Sequence, residues 1–244
     1  MLNFTYIGTA IAVGLTLYIA EVKHARMMLQ LAVGLYMLVY LGIICRENMQ
    51  IEGLWYYISL GIFQAAAIHY MVAKIAGPLL FGRGWCGYVC WTAMILDFMP
   101  YKIPENPRRE KLGYFRIVAF VCSILYFLVL AWLCPEDLEN LMFISFIWGN
   151  IIYYFVGIVL AFMLKDNRAF CKYVCPITVF LKPASYFALM RIKVDKTICV
   201  SCDKCKKICP MDVDVINNSR SRKNGTECIL CFECKKVCPL RAIK

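Results

Sequence analysis

The sequence CVSCDKCKKICP at residues 199–210 recurs as CILCFECKKVCP at residues 228–239. Both copies place four cysteines at the spacing C-x2-C-x2-C-x3-C and follow the last cysteine with proline. Three thiolates on one tight loop can occupy three iron corners of a cubane, and the fourth cysteine of such a run ligates the neighbouring cubane. The repeated spacing therefore predicts two 4Fe-4S clusters.

The crossed arrangement gives each cluster three cysteines from one run and one from the other, as in bacterial two-cluster ferredoxins. The predicted ligands are Cys199, Cys202, Cys205 and Cys238 for cluster one, and Cys228, Cys231, Cys234 and Cys209 for cluster two. We expect the fourth cysteine of each run to begin a helix, because the proline that follows suits a first helical turn. A disulfide framework and zinc sites are the alternatives, and tandem runs of three cysteines plus one favour neither.

The composition of the chain indicates a membrane protein. Of its 244 residues, 61% are hydrophobic and only 18% are charged, and the mean hydropathy is +0.64. We predict a membrane all-α domain at residues 1–190, followed by a small α+β two-cluster ferredoxin domain at residues 191–244. The formal net charge of +11 does not indicate a nucleic-acid partner, because the basic residues gather beside apolar segments and no nucleic-acid motif appears.

Five apolar segments have roughly the length that a bilayer-spanning helix requires. They lie at about residues 5–20, 27–45, 54–75, 112–133 and 141–164. Between the third and fourth, Gly77 to Met99 is apolar but broken by Pro78 and several glycines. It predicts a re-entrant or interfacial turn that carries Cys86 and Cys90 and is followed by a short helix. The first segment lacks the features of a cleavable signal peptide, so we expect it to be retained.

Basic residues concentrate in alternate loops, which sets the expected orientation. The loops after the first, third and fifth segments are basic, whereas the loop at 134–140 carries three acidic residues and no basic one. We therefore expect the N-terminus outside and the C-terminal domain in the cytoplasm. Arg116, near the inner end of the fourth segment, is expected to snorkel to the interface.

A second internal repeat lies in the membrane part. RGWCGYVC at residues 83–90 matches RAFCKYVC at residues 168–175, with arginine, an aromatic residue, Cys, Tyr, Val and Cys at equal offsets. We predict a third iron–sulfur cluster whose ligands are Cys86, Cys90, Cys171 and Cys175. Arg83 and Arg168 would offset its negative charge or bind lipid phosphate. The alternative is a pair of structural turns whose thiols stay free or form a reversible dithiol.

Two C-x3-C motifs, the second ending Cys175-Pro176, followed by a double-cubane module, resemble the NapH and NosR type of membrane-bound polyferredoxins. More distantly, the chain resembles the CcoG type. The resemblance runs from about the third segment to the C-terminus, and Trp91 departs from it where the first motif usually has proline. It implies electron transfer between the quinone pool and a cytoplasmic or membrane redox partner, in the lipid bilayer of a bacterial or archaeal cell membrane.

The remaining candidate residues concern quinone and haem. Asp97 is expected near membrane depth, either as a proton acceptor for quinol or paired with Arg83 or Lys102. His24 and His69 are the only histidines. They could in principle ligate haem b, but hydrogen-bonded packing or a quinone contact is the favoured interpretation, so His69 and Asp97 are the predicted quinone site.

These observations predict a membrane-anchored electron-transfer subunit, in which the cofactors carry the redox chemistry. Two other functions stay open. One is a reductase that acts on a metal or flavin centre of another protein. The other is a redox-sensing or assembly factor whose clusters report the state of the cell.

Overall fold

The computed structural model describes residues 2–63, 66–218 and 225–244, and these ranges are predominantly helical. The membrane part begins with α1 (Leu2–Ile19), α2 (Ala25–Leu35) with a π-helical extension (Tyr36–Ile44), α3 (Ile51–Ser59), and α4 (Ala66–Tyr70), which runs through a π-helical segment (Met71–Ala76) into α5 (Gly77–Phe81). It continues with α6 (Gly84–Tyr88), α7 (Trp91–Leu96), a 3-10 turn (Glu110–Tyr114), α8 (Phe115–Leu133), α9 (Leu138–Leu164), α10 (Ala169–Tyr173) and α11 (Thr178–Tyr186). The C-terminal module contains α12 (Lys204–Lys207), α13 (Val215–Asn218) and α14 (Glu233–Lys236).

Three helices in the described ranges are long and apolar enough to cross a membrane: Ala25–Ile44, Glu110–Leu133 and Leu138–Leu164. Two further apolar helices, Asn3–Ile19 and Ala67–Phe81, are shorter. The predicted third segment at 54–75 is wrong as one continuous helix, because α3 ends at Ser59 and α4 begins at Ala66. Gly61 adopts a left-handed conformation (φ 67°) just beyond the end of α3, which is a common way to terminate a helix.

The segment between α4 and α8 is mostly buried from Gly82 to Asp97 and largely exposed at residues 98–107. Its first helical stretch passes through Pro78 without a break, so the predicted break there is wrong, and the chain reverses at Gly82 (φ 57°). The short α7 lies between α2 and α9. A Cβ placed on Gly34 would lie 3.0 Å from Met94 Sδ, and one on Gly157 would lie 2.9 Å from Leu96 Cδ2. These close approaches hold α7 in the interior, in keeping with a re-entrant element.

The C-terminal module repeats one backbone pattern. Left-handed residues occur at Ser201, Asp203 and Asp212 in the first run, and at Leu230, Phe232 and Arg241, 29 residues later in each case, in the second. The short helices α12 and α14 carry the third cysteine of each run. The expected helices at the fourth cysteines are absent from the described residues, because Cys209 and Cys238 lead into turns that reach the left-handed Asp212 and Arg241.

The two ends of this module pair with each other. Val194 and Ile243 form an isolated antiparallel bridge, and the backbones of Lys193 and Lys244 exchange hydrogen bonds of 3.0 and 2.8 Å. The described residues contain no strand beyond this bridge, so the expected α+β character is not seen. The cysteine loops use left-handed residues at short intervals, which leaves few consecutive residues extended enough to pair.

Candidate functional site

Two cavities in the C-terminal module are lined by cysteines. The first contains four cysteines in its wall: Cys199, Cys202, Cys205 and Cys238. The second contains the other four: Cys209, Cys228, Cys231 and Cys234. Each cavity takes three cysteines from one run and the fourth from the other. The remaining walls are mostly aliphatic, and those of the second cavity are mostly buried.

The backbone around both cavities is suited to anionic sulfur. The Val213 amide donates to Cys209 Sγ at 3.4 Å, and the Ala242 amide donates to Cys238 Sγ at 3.3 Å. Alternating right- and left-handed residues form backbone nests that bind anions and occur at many iron–sulfur sites. The chemistry of the donors and the shape of the cavities therefore fit 4Fe-4S clusters.

The thiols of the second cavity need a positive partner to ionise. Burial raises the pKa of Cys209 to about 11 and that of Cys228 to about 12, although nearby amides oppose the shift. A bound metal reverses this cost, because a coordinating thiol is deprotonated. All fifteen cysteines lie in the described ranges and are free. No three His, Cys, Asp or Glu side chains in those ranges converge on a single ion, and a four-iron core would separate its thiolate ligands more widely.

The four C-x3-C cysteines lie together in one apolar cluster. Cys86 and Cys171 are buried in it, and Cys90 and Cys175 pack against them. Burial raises the pKa of Cys171 to about 12, with Cys175 and Cys90 among the groups that add to the shift. The same cluster contains Cys231, with Cys209 and Cys228 packed against it. The two C-x3-C motifs and the second cavity thus adjoin within one core.

The arginines of the two motifs make reciprocal contacts that sequence reasoning did not find. Arg83 donates to the Cys171 carbonyl at 3.2 Å, and Arg168 donates to the Cys86 carbonyl at 3.1 Å. Each arginine is only 1% exposed, so the suggested role in binding lipid phosphate is wrong. The equal position of arginine, three residues before the first cysteine of each motif, was the available signal.

Each of these arginines also pairs with a carboxylate outside its own motif. Arg168 contacts Asp97 Oδ2 at 2.5 Å, and Arg26 contacts the same oxygen at 2.9 Å. Burial opposes ionisation of Asp97, but the two arginines outweigh it and lower its pKa below the usual value. The expected ion-pair partners of Asp97, Arg83 or Lys102, are therefore wrong, because Arg168 and Arg26 take that place. Because its carboxylate is held ionised by two cations, this arrangement favours a structural role for Asp97 over the predicted quinone contact.

Glu227, the residue before Cys228, is the corresponding partner of Arg83. Its carboxylate also accepts from Arg108 at 3.0 Å and from Arg116 at 2.9 Å. Burial opposes ionisation of Glu227, but the arginines hold its pKa well below the usual value. Arg116 is 5% exposed and also donates to the Lys172 carbonyl, so it does not snorkel to the interface as expected.

A second set of contacts seats the loop of cavity two on the membrane part. Tyr18 donates to the Cys231 carbonyl at 3.1 Å, and Tyr88 donates to the Leu230 carbonyl at 2.8 Å. A Cβ on Gly87 would lie only 2.4 Å from the Ile229 carbonyl oxygen. Glycine is therefore required at this position of the first motif for the loop to approach so closely.

The two histidines occupy different environments. His24 is exposed just before α2, whereas His69 is buried with its ring 5.9 Å from both Trp85 and Trp91. Among the residues that the structure describes, His69 Nε2 has no hydrogen-bond partner. His69 thus lies beside Trp91 at the start of α7, whereas Asp97 follows the other end of α7 and is paired with Arg26 and Arg168.

Two family models match three stretches of the chain. One described as a 4Fe-4S dicluster domain matches residues 191–239. Another, described as a 4Fe-4S binding domain, matches twice, at residues 64–109 and 148–196. Each of these two copies contains one C-x3-C motif, in agreement with the internal repeat. The chain therefore carries 4Fe-4S domains of the ferredoxin type.

Curated relatives are distant. Two are archaeal proteins of Methanocaldococcus jannaschii: Uncharacterized protein MJ0750 is 28% identical over 162 residues (59% of this chain, 66% of that protein), and Uncharacterized protein MJ0749 is 24% identical over 156 residues (62% of this chain, 60% of that protein). The Escherichia coli K12 protein named "Putative electron transport protein YccM" is 24% identical over 171 residues (62% of this chain, 48% of that protein).

The chain spans about half to two thirds of the length of these relatives. No solved structure matches it. Taken together with the domain matches, the likeness to an electron transport protein indicates an iron–sulfur electron-transfer protein.

Proposed function

We propose that the protein is a membrane-anchored subunit that carries electrons between the quinone pool and a redox partner through three iron–sulfur clusters. The cluster ligands are the two crossed sets of four cysteines and the four C-x3-C cysteines. The observation that carries the proposal is the continuity of one apolar core, in which Cys86 and Cys171 adjoin Cys231 of the second cavity. The protein supplies ligation, burial and orientation, and the clusters supply one-electron chemistry.

The positions of the three cysteine groups support an order for the proposed electron path. The third cluster lies within the membrane part, cluster two lies against it, and cluster one lies beyond cluster two on the exposed side of the module. Cys205 and Cys234 belong to the same apolar cluster, which links the first two cavities. Each site thus adjoins the next one, which is the arrangement that a single path requires.

The surface near cluster one is the proposed docking site for the redox partner. Apolar side chains are exposed there, with Val200 at 68% and Leu240 at 45%. Lys196, Lys204 and Arg241 are exposed around them. An apolar centre with a basic rim suits a partner whose own docking surface is acidic.

The quinone is proposed to exchange electrons with the third cluster near His69. The unpartnered Nε2 of this buried histidine is adjacent to Trp85 and could bind a quinone oxygen. Asp97 is left out of the site because of its two arginines. We further propose that the protein lies in a bacterial or archaeal cell membrane with the ferredoxin module in the cytoplasm, in line with the basic loops.

Iron analysis of the purified full chain tests the third cluster. Two cubanes require eight irons, and a third cluster adds two or four. The double variant Cys86→Ser with Cys171→Ser should lose only that additional iron. Cys45→Ser with Cys122→Ser is the control and should keep all of it. A preparation with both ferredoxin clusters full and no iron beyond eight would contradict the proposal.

Reduction by a quinol distinguishes the proposed function from the alternatives. We expect a menaquinol analogue to reduce the clusters in membranes. Reduction only by a soluble protein or a dithiol would instead favour a reductase or a sensing role.

A further inference from the structure

The short helices α6 and α10, which carry the first cysteine of each C-x3-C motif, end in carbonyls that need outside partners. The last four carbonyls of a helix have no intrahelical donor. In α6 (Gly84–Tyr88) and in α10 (Ala169–Tyr173), the cysteine and the residue after it lie in this last turn. Guanidinium groups donate to all four of these carbonyls. Cations therefore fix the turn that leads from the first cysteine of each motif to the second.

One carboxylate holds together the two arginines that bind the first motif. Arg168 donates to the Cys86 carbonyl at 3.1 Å, and Arg26 donates to the Gly87 carbonyl at 2.8 Å. Both guanidinium groups also contact Asp97 Oδ2, at 2.5 and 2.9 Å respectively. Asp97 therefore acts on the backbone of the first motif through two arginines.

The second motif repeats this arrangement with a carboxylate that comes from the C-terminal module. Arg83 donates to the Cys171 carbonyl at 3.2 Å, and Arg116 donates to the Lys172 carbonyl. Both guanidinium groups also pair with Glu227. The two arginines and the carboxylate are buried. Each motif is thus bound at the same two carbonyls by two arginines that share one carboxylate.

The internal repeat shows why the second motif takes its carboxylate from elsewhere. At the equal offsets of the repeat, the residue equivalent to Asp97 is Lys182, and the residues before them are both fully buried leucines. Arg26 and Arg116 are likewise each the second residue of an apolar helix, α2 and α8. Lys182 Nζ lies 3.4 Å from Glu227 Oε1. The second half therefore has a cation where the first half has its carboxylate, and Glu227 supplies the negative charge.

We infer that Glu227 is a positioning residue of the third cluster, so that the ferredoxin module completes a site whose four ligands lie in the membrane part. The inference rests on the proposed function, because the site is that of the proposed third cluster. Glu227 directly precedes Cys228, a ligand of cluster two, yet its contacts lead to the backbone at Cys171. It acts through Arg83 and Arg116 rather than as a ligand.

Iron content and EPR of the purified full chain test the inference. Glu227→Gln should lose most of the iron that the wild type carries beyond its two cubanes, while clusters one and two stay filled. Asp97→Asn should have the same effect through the first motif. Glu233→Gln is the matched control, because Glu233 also directly precedes a cluster-two ligand but pairs with the exposed Lys236, at 2.9 Å. This variant should keep all three clusters.

A rescue variant separates positioning of the third cluster from docking of the module. Lys182→Asp, added to Glu227→Gln, places a carboxylate at the position equivalent to Asp97. That carboxylate belongs to the membrane part, so it does not restore the ion pairs that Glu227 makes between the two parts. We expect it to recover the third cluster, whereas Lys182→Met in the same background should not. Recovery in both double variants, or in neither, would overturn the inference.

The outcomes also distinguish the inference from the function on which it rests. Wild-type protein without iron beyond its two cubanes removes the third cluster itself. Wild-type protein with that iron, together with a Glu227→Gln protein that keeps it or loses cluster two, overturns the inference alone. If Glu227→Gln does not accumulate, Glu227→Asp keeps the charge but shortens the side chain. A shifted EPR signal of the third cluster alone then supports the inference, and an unchanged one overturns it.

Discussion

The two cysteine loops of the C-terminal module share a backbone but not an environment. Their left-handed residues and their amide-to-sulfur hydrogen bonds recur 29 residues apart. In the first loop, however, Val200 and Cys202 are exposed. In the second, Ile229, Leu230 and Cys231 are buried beneath the first C-x3-C motif. The cysteine spacing therefore determines how a cluster is held, and the residues between the cysteines determine what it faces.

The strongest test of this comparison replaces the fourth cysteine of each run by serine, in separate variants. Cys209→Ser should remove cluster two although Cys209 belongs to the first run, because its thiol lines the second cavity. Cys238→Ser should remove cluster one by the same argument. Each variant should lose one cubane, with iron content and EPR as the measurements. Loss of cluster one in the Cys209→Ser protein would refute the crossed ligand sets.

The next test concerns the residue before each loop, which is Glu227 in the second and Ile198 in the first. Glu227→Gln leaves the buried Arg83 and Arg116 without a carboxylate among the described residues, which should destabilise the docked module by about 3–5 kcal/mol. Ile198→Gln, at the exposed equivalent position, should change little. Thermal unfolding and limited proteolysis of the full chain report the difference. Equal losses in the two variants would contradict the asymmetry.

The same carboxylate predicts an acid dependence. Because the arginines lower the pKa of Glu227 in the folded protein, its stabilising effect is fully present above the ordinary value of 4.5. It declines only as the pH falls below that value toward the folded pKa. The C-terminal module of the wild type should therefore dock less stably on the membrane part at strongly acidic pH. In Glu227→Gln the stability of docking should depend less on pH. If the docked wild-type module instead lost stability as the pH rises, the assigned direction of the Glu227 pKa shift would be wrong.

A smaller effect is expected at Gly87, where the second loop touches the first C-x3-C motif. Gly87→Ala places a Cβ 2.4 Å from the Ile229 carbonyl oxygen, so the loop must shift, at about 1–3 kcal/mol. Gly84→Ala is the control, because its Cβ would meet the movable Phe81 ring at 3.1 Å and the equivalent residue of the second motif is Ala169. The EPR signal of cluster two should shift only in the first variant. An unaltered signal in Gly87→Ala would mean that the contact is looser than described.

The smallest effect concerns the exposed loop. Lys204→Glu should slow reduction or oxidation by an acidic redox protein several-fold at low salt, with full cluster content, since rim charges act mainly on the association rate. The difference should shrink as salt is added. Lys111→Glu, an exposed charge on the membrane part, should leave the rate unchanged. Equal slowing by both variants would place the docking surface elsewhere.

The sequence was informative where the chemistry is local. The ligand groupings follow from spacing within each run, and the C-x3-C repeat from equal offsets. The ion pairs could not be predicted in the same way. Arg83 and Glu227 are 144 residues apart, and the local sequence around each residue does not indicate its partner. Arg116 was expected at the membrane interface because it lies near the end of an apolar segment, a local feature that does not reveal its distant partner Glu227. The break after α3 did have a local signal, Gly61, which the apolar pattern around it obscured.

The reciprocal contacts of Arg83 and Arg168 have the form of an isologous interface, in which residue i of one copy contacts residue j of the other and the reverse. The two halves of the membrane part thus meet as two subunits of a symmetric dimer would, although one chain supplies both. Each half brings two thiols and one arginine. The symmetry is broken by what each arginine reaches next, Asp97 on one side and Glu227 on the other. That difference gives an otherwise two-fold site a single direction, toward the ferredoxin module.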